Sequence, residues 1–336
     1  MKSIRNFFKK TTSLEDFYHL GEFSNVANLQ DIYYCFRLIL GRNPNPEECK
    51  GHSGMSGVEL TQVVKSYVQS LEFQNRNLLH SCAENIAIRN IENFQMYVDL
   101  NDQAVGAPIA NASYEPHVTD VFKKHLKPGM KVLDIGANIG YFSILAAKLV
   151  GDTGQVFAIE PNMENCKLLQ ASKDLNKLDQ LLILQFAAGH TTGLLTLNTS
   201  YSNGTTSTLS NNVDVLMASK TVSAIKLDNL REFDAGIDFI KIDVEGAEYS
   251  ALFGAKELIS KFKPIIVSEF SPTAMPSISG VDGATYLNFL CSLGYEISVI
   301  KFDGSIQKNH SNIEAIMNEF FNAGVDHIDI LAMPIK

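Results

Sequence analysis

Residues 132–140 run Val132-Leu133-Asp134-Ile135-Gly136-Ala137-Asn138-Ile139-Gly140. An apolar strand gives way to a glycine turn and then to the start of a helix. Gly136 and Gly140 permit backbone torsions barred to other residues and let the chain approach a ligand closely. Amides at the helix start are expected to be free and to face that ligand. Asn138 stands where a dinucleotide-binding turn has its middle glycine, and no Gly-Lys-Ser/Thr follows, so this is not a P-loop.

The same alternation continues downstream. Lys131–Ile135 is expected as the first strand and Tyr141–Val150 as its helix. Gln155–Ile159 and Met163–Asn176 form the next pair, and Leu181–Ala187 the third strand. Asp238–Asp243 is the fourth, followed by a helix from Ala247 to about Phe262. Pro264–Phe270 is the fifth, with a helix over Ala284–Leu293, and Tyr295–Lys301 and His327–Met333 are late strands that can form an antiparallel edge. Strands separated by helices require crossover connections and a mostly parallel sheet. An insertion of about 191–231 holds two strands, Leu194–Leu197 and Thr221–Leu227, around a polar loop, Ser200–Ser210, that suits a lid or substrate wall.

The turn carries chemistry as well as shape. Asp134 lies on the strand itself and suits a ligand bearing an ammonium group, whereas a pyrophosphate would be repelled. Glu160 ends the second strand, 20 residues after Gly140. An acid there can accept hydrogen bonds from both ribose hydroxyls, and Pro161 then turns the chain. S-adenosylmethionine has an α-ammonium, a carboxylate and a ribose, and lacks phosphate. NAD is the competing ligand, because it also needs a ribose acid.

Upstream, residues 28–80 are helical in pattern, with Leu29, Ile32, Tyr33, Phe36 and Leu40 on one face. Gly41–Pro46 stops that helix, Pro46-Glu47-Glu48 can start another, and Val58–Phe73 carries a further apolar face. Tyr33-x-x-Phe36-Arg37-Leu38-Ile39-Leu40-Gly41-Arg42-x-Pro44-x-Pro46 and Ser70-Leu71-Glu72-Phe73 resemble a short bacterial helical module of unknown function. That resemblance implies docking or self-assembly of copies.

The chain has 336 residues, 45% of them hydrophobic and 19% charged, which excludes disordered and fibrous classes. Its net charge is −9. Residues 1–82 hold nine basic and eight acidic residues, so the acidity sits in the remainder. An acidic main domain argues against a nucleic-acid partner. Lys2, Arg5, Lys9 and Lys10, with Ile4, Phe7 and Phe8, form a basic apolar start that suits an anionic membrane surface or a frayed helix. No apolar run approaches the ~18 residues of a transmembrane segment, and the start lacks the apolar stretch of a signal peptide. Five scattered cysteines (35, 49, 82, 166, 291) without Cys-x-x-Cys point to reduced thiols. A cytoplasmic protein is expected.

Residues 94–335 resemble an FkbM-type S-adenosylmethionine-dependent methyltransferase. The matching stretches are Tyr114-Glu115-Pro116, Val132–Gly140 with Tyr141-Phe142-Ser143, Ala158–Asn162, Leu227-Asp228 and Phe239–Glu248. The resemblance implies a Rossmann-like class I methyltransferase sheet, of the α/β class, in strand order 3-2-1-4-5-7-6 with strand 7 antiparallel. An α-helical N-terminal domain precedes it. The expected division is a helical module over 1–82, a helical or extended lead-in over 83–130, and the methyltransferase domain over 131–336. O-methylation of a hydroxyl is implied, with a sugar in a glycan or glycolipid precursor as acceptor. Glu115, Asp134, Gly136, Asn138, Gly140, Tyr141, Glu160, Pro161, Ala187, Ala188 and Asp243 become the cofactor contacts.

Methyl transfer to an aliphatic hydroxyl needs a base or a Lewis acid. Asp243, ending the fourth strand, is the first candidate, Glu245 the second, and His117 a third. If strands four and five are neighbours, Asp243 and Glu269 can share a Mg²⁺ ion. Glu248 can simply complement the next helix dipole, and Lys241 can pair with Asp243. His190 follows the third strand, and Asn203–Ser207 can hydrogen-bond a polyol. Two other readings stay open: a non-catalytic interaction protein on this fold, and an NAD-dependent oxidoreductase.

Overall fold

A computed structural model describes residues 24–76, 85–198, 204–308 and 312–335. The chain divides into two compact units, Met1–Glu84 and Asn85–Lys336. The basic start from Lys2 to Lys10, Cys82 and Asn203 lie outside the described residues.

In the first unit, the helix Leu29–Tyr34 opens with a capping box of Asn28 and Asp31 and passes into a π-helical turn, Cys35–Ile39. Pro46–His52 opens with a second box, Asn45 and Glu48. The apolar stretch Val58–Phe73 is two helices rather than one, Leu60–Val68 and Leu71–Asn75. The break falls at Ser70, whose hydroxyl accepts from the Phe73 amide. Ile32, Cys35, Phe36, Leu40, Val63 and Tyr67 form a small core. Above it the Arg42 guanidinium donates to both Glu48 and Glu72. That fork ties together the two sequence stretches that resemble the bacterial module.

The second unit opens with a hairpin, β1 (Ile86–Ile91) and β2 (Phe94–Asp99), in what the sequence suggested was a helical or extended lead-in. Then come β3 (Lys131–Ile135), β4 (Gln155–Ile159), β5 (Leu181–Leu184), β6 (Ala187–Ala188), β7 (Gly193–Asn198), β8 (Thr205–Ser207) and β9 (Lys220–Ile225). The last five are β10 (Phe239–Ile242), β11 (Ile265–Phe270), β12 (Tyr295–Ile300), β13 (Ile306–Lys308) and β14 (Ile328–Pro334). The main sheet has the order β13-β12-β14-β11-β10-β3-β4-β5. Apart from the short edge strand β13, this is the expected 3-2-1-4-5-7-6 order. β14 is the seventh strand and runs antiparallel to both β11 and β12. Val132, Leu133, Ile135, Ile240 and Ile242 are wholly buried, because helices cover both faces of a parallel sheet.

The insertion differs from the sequence reading. The third strand ends at Leu184, and Ala187–Ala188 leave the main sheet to pair with β9. β6, β9, β7 and β8 make a second sheet of four strands, so part of the polar loop is itself a strand. A helix, Val213–Ala218, completes the insertion. The expected helix from Ala247 to Phe262 is two, Glu248–Phe253 and Lys256–Phe262. The helix Ile313–Ala323 and strand β13 were not foreseen. Cys35, Cys49, Cys166 and Cys291 are free thiols. Among the described residues, no helix is long and apolar enough to cross a membrane.

Candidate active site

A cleft of about 380 Å³ opens where β3, β4, β10 and β11 end, the edge at which open α/β sheets bind ligands. Glu115, Gly136, Asn138, Glu160, Pro161, Ala187, Ala188, Asp243, Glu245 and Glu269 all line it. These are expected site residues, brought together from six separate segments. Among the described residues its acidic groups are Glu115, Glu160, Asp243, Glu245, Glu269 and Asp326, and no Lys or Arg lines it.

The turn after β3 is shaped by Gly136, whose φ is +82°. A Cβ there would lie 1.8 Å from the Asp243 carbonyl oxygen, so only glycine lets the turn pass under the end of β10. The amides of the turn itself, ahead of the helix Tyr141–Val150, are bonded within the protein. Gly136 and Ala137 donate to the Ile159 carbonyl, and Gly140 donates to that of Ala137. Asn138 donates to Glu160 Oε2 and Ile139 to the Asn138 side chain. The left-handed backbone of Asn138, φ +51°, makes that last bond possible. With its donors committed to the protein, this turn has none left for a phosphate.

Glu160 also accepts from the Asn162 amide at 2.7 Å. Burial pushes its carboxyl up to about 7, although the Asn162 and Asn138 amides pull the other way. The Asn165 side chain, which also lines the cleft, adds a third hydrogen bond to it.

Asp134, Gly140 and Tyr141 do not line the cleft. They surround a small void beneath it, together with Lys241. Asp134 is 1% exposed. Its Oδ2 accepts from Ser143 at 2.5 Å, and its Oδ1 has no partner. Asp134 thus sits against the helix Tyr141–Val150, in a void that shares Val105, Tyr114, Gly136 and Asn138 with the cleft. Its neighbour there is the buried Lys241 ammonium, which lies 2.9 Å from Asp243 Oδ2 and 4.7 Å from the Phe142 ring centre. Burial opposes the charge on Lys241, but Asp243, Glu115 and Asp134 outweigh it and hold the lysine protonated.

Asp243 follows β10. Burial raises its carboxyl, and Lys241 more than reverses that, holding it below the ordinary carboxylate range. Its neighbours behave oppositely. Glu269, 9% exposed in β11, is raised by burial and then by Asp243, Glu245 and Glu248. It keeps a proton and hydrogen-bonds Asp243, while its Oε1 accepts from Ser271. Glu248 is not a solvated helix-start acid. It is fully buried, and its Oε1 accepts from the Val244 and Gly246 amides. It thereby folds the loop that presents Asp243 and Glu245. Glu115, Asn138 and Glu245 all line the cleft and all hold a positive φ, the kind of backbone strain that concentrates at functional sites.

Asp243, Glu245 and Glu269 each offer an oxygen within 4.8 Å of the others, a set able to hold a divalent cation.

His117 lies away from the cleft lining. It is buried and pairs with Asp329, Nε2 to Oδ2 at 2.7 Å. His190 is exposed and meets Ser250. The sequence reading missed Asp326 and His327, which reach the cleft because β14 runs antiparallel and begins beside the end of β11. Gly204 and Thr206 bring the insertion to the cleft wall.

Residues 134–297 match the family model described as Methyltransferase FkbM domain. Residues 60–196 match the model described as Protein-L-isoaspartate(D-aspartate) O-methyltransferase. Protein-L-isoaspartate O-methyltransferase 1 of Arabidopsis thaliana is 30% identical over 104 residues, covering 29% of this chain and 44% of that protein. The chain thus matches less than half the length of this curated relative. Among solved structures, Methyltransferase FkbM from Methylobacillus flagellatus KT is 17% identical, with 77% of this chain and 59% of that one covered at a TM-score of 0.38. TYW2 of M. jannaschii in complex with AdoMet is 16% identical, with 75% and 87% covered at a TM-score of 0.40.

Proposed function

We propose that this chain, whose residues 134–297 form a methyltransferase FkbM domain, transfers the methyl group of S-adenosylmethionine to a hydroxyl, that of a sugar in a glycan or glycolipid precursor. The observation that carries this reading is a cleft that, among the described residues, is lined by six acidic side chains and no Lys or Arg, beside a turn whose amides are already bonded. A cationic, phosphate-free nucleoside suits such a cleft, and a pyrophosphate finds no donors there. NAD fits poorly for the same reason.

When bound, the methyl donor supplies an electrophilic methyl group on a positively charged sulfur. Glu160 would accept from its ribose hydroxyls, Gly136, Asn138, Ala187 and Ala188 would line its site, and Glu115 would receive its cationic end. Asp243 takes the proton of the acceptor hydroxyl as the new bond forms, with Glu245 the alternate base. Lys241 keeps Asp243 ionised for that task, and Glu269, protonated, fixes the position of the carboxylate. Thr206 and His327 border the acceptor side. A divalent ion at Asp243, Glu245 and Glu269 would supply Lewis-acid activation instead. Full activity in EDTA removes the ion and leaves Asp243 or Glu245 as the base.

A carboxylate acceptor of the isoaspartyl kind would be repelled by Asp243, Glu245 and Asp326, which favours the neutral hydroxyl. Isothermal titration with S-adenosylmethionine and with NAD tests the donor. Absence of binding at millimolar S-adenosylmethionine sinks the reading and leaves a non-catalytic interaction protein. Labelled-methyl transfer to extracted cell-envelope glycans, followed by linkage analysis, tests the acceptor.

A further inference from the structure

We infer that His117 and Asp329 are a positioning pair that holds Glu115 in the cleft. The inference rests on the reading above, in which Glu115 faces the cationic end of the methyl donor.

Glu115 is the residue before the helix Pro116–His125, and its backbone is left-handed, φ 39° and ψ 57°. A glutamate keeps that conformation only where its surroundings over-determine it. Two anchors flank it. On one side the Tyr114 ring packs edge-on against Tyr141, centroids 5.3 Å apart. On the other, His117 reaches across to the sheet. Its Nε2 lies 2.7 Å from Asp329 Oδ2, with both side chains under 10% exposed. The Phe302 ring stands edge-on to the imidazole, centroids 5.1 Å apart, and covers it.

Asp329 lies in β14 directly opposite Glu269 of β11. Residues opposite each other in an antiparallel pair project from the same face. His117 is therefore pinned to the same sheet face, one strand beyond the acids at the cleft floor, and it is two residues from Glu115. The bond from the Thr119 amide to the Glu115 carbonyl, 3.0 Å, makes this first turn rigid. Movement at His117 thus passes directly to Glu115. A buried charged pair contributes little more stability than an apolar pair of the same volume, so stability alone does not account for an ion pair here.

The test is a double-mutant cycle read by isothermal titration of S-adenosylmethionine into the full chain. Glu115→Gln and His117→Leu are each expected to weaken binding at least tenfold. The double variant should bind within about twofold of Glu115→Gln alone, because His117 acts through Glu115. His117→Gln, whose amide can still donate to Asp329, should stay within threefold of the wild type. Asp329→Asn, in the same cycle with Glu115→Gln, replaces His117→Leu if that variant melts early. Fully additive losses overturn the inference, since a merely structural role gives additivity. So does wild-type affinity in both His117→Leu and Asp329→Asn. A wild-type chain that does not bind S-adenosylmethionine overturns the donor reading itself and the inference with it; binding with additive losses overturns the inference alone.

Discussion

The two units of this chain treat their carboxylates in opposite ways. In the first, Glu48 and Glu72 share the fork of Arg42 at the surface. The Arg42 hydrogen bond lowers both, Glu48 to about 2. In the second, Glu160, Glu248 and Glu269 are buried beside amides or other acids and are pushed upward, the first two to about 7. Paired acids held in their charged form are scaffolding. Crowded acids driven toward neutrality around Asp243, which Lys241 keeps ionised, mark a place where charge is to be used. The contrast separates structure from chemistry without reference to any relative.

The sharpest way to break that contrast is Asp243→Asn. It keeps the shape and removes the ionised group, and it should lower turnover a hundredfold or more. S-adenosylmethionine affinity should stay within a few-fold. Steady-state kinetics with labelled donor decide it, and near-normal turnover would remove Asp243 from the chemistry. Glu160→Ala comes next, weakening S-adenosylmethionine by about 1–3 kcal/mol in a titration, the cost of unpairing charged hydrogen bonds.

Glu248 sharpens the comparison through pH. Burial raises its carboxyl from 4.5 to about 7, so the folded chain binds this proton more tightly than the unfolded chain. The resulting stability is complete below about pH 4.5 and is lost as pH rises through 7. It amounts to about 3 kcal/mol at most. Thermal melts from pH 5 to pH 8 should therefore show a drop in Tm smaller in Glu248→Gln than in the wild type, by roughly 5–10 °C. Parallel curves would show that Glu248 does not titrate there.

Arg42→Ala should have a smaller effect, lowering the melting of the first unit by a few degrees and leaving donor affinity untouched. Least of all should change on removing the first unit. A chain beginning at residue 83 should fold and bind S-adenosylmethionine within threefold of the full chain, by calorimetry. A truncated chain blind to the donor would mean that residues 1–82 complete the site.

The sheet was legible because its signals are local. Helix Met163–Asn176 falls between the residues its pattern suggested, with Asn162 capping its start and Lys177 left-handed at its end. Hairpin β1–β2 was overlooked although Phe94, Met96 and Val98 alternate inward. The pattern is only six residues long, and neither strand carries a motif. Helix Ile313–Ala323 also had its signals, an Asn312 cap and Gly324 after it, but no motif drew attention to them. The site divides along the same line. Glu160 and Asp243 end strands that periodicity can find. Asp326 and His327 belong to the cleft only because a distant strand enters antiparallel, which no short stretch encodes. Asp134 is legible by its spacing, but its burial against the following helix is not: which face of a strand a helix covers is set by the fold and not by the strand's own residues.

Strand β13 has one more consequence. β12 carries Tyr295, Ile297, Ser298, Val299 and Ile300, all buried. As a bare border it would be a flat apolar ribbon with a row of unsatisfied amides and carbonyls, a template for cross-β aggregation. β13 caps it with three residues, Ile306, Gln307 and Lys308, antiparallel to β12. So short an outer strand, ending in a lysine, offers little to pair with. The opposite border, β5, is only four residues long, and the chain leaves it after Leu184. Both rims of the sheet are thus blunted, a built-in guard for colloidal stability at high concentration.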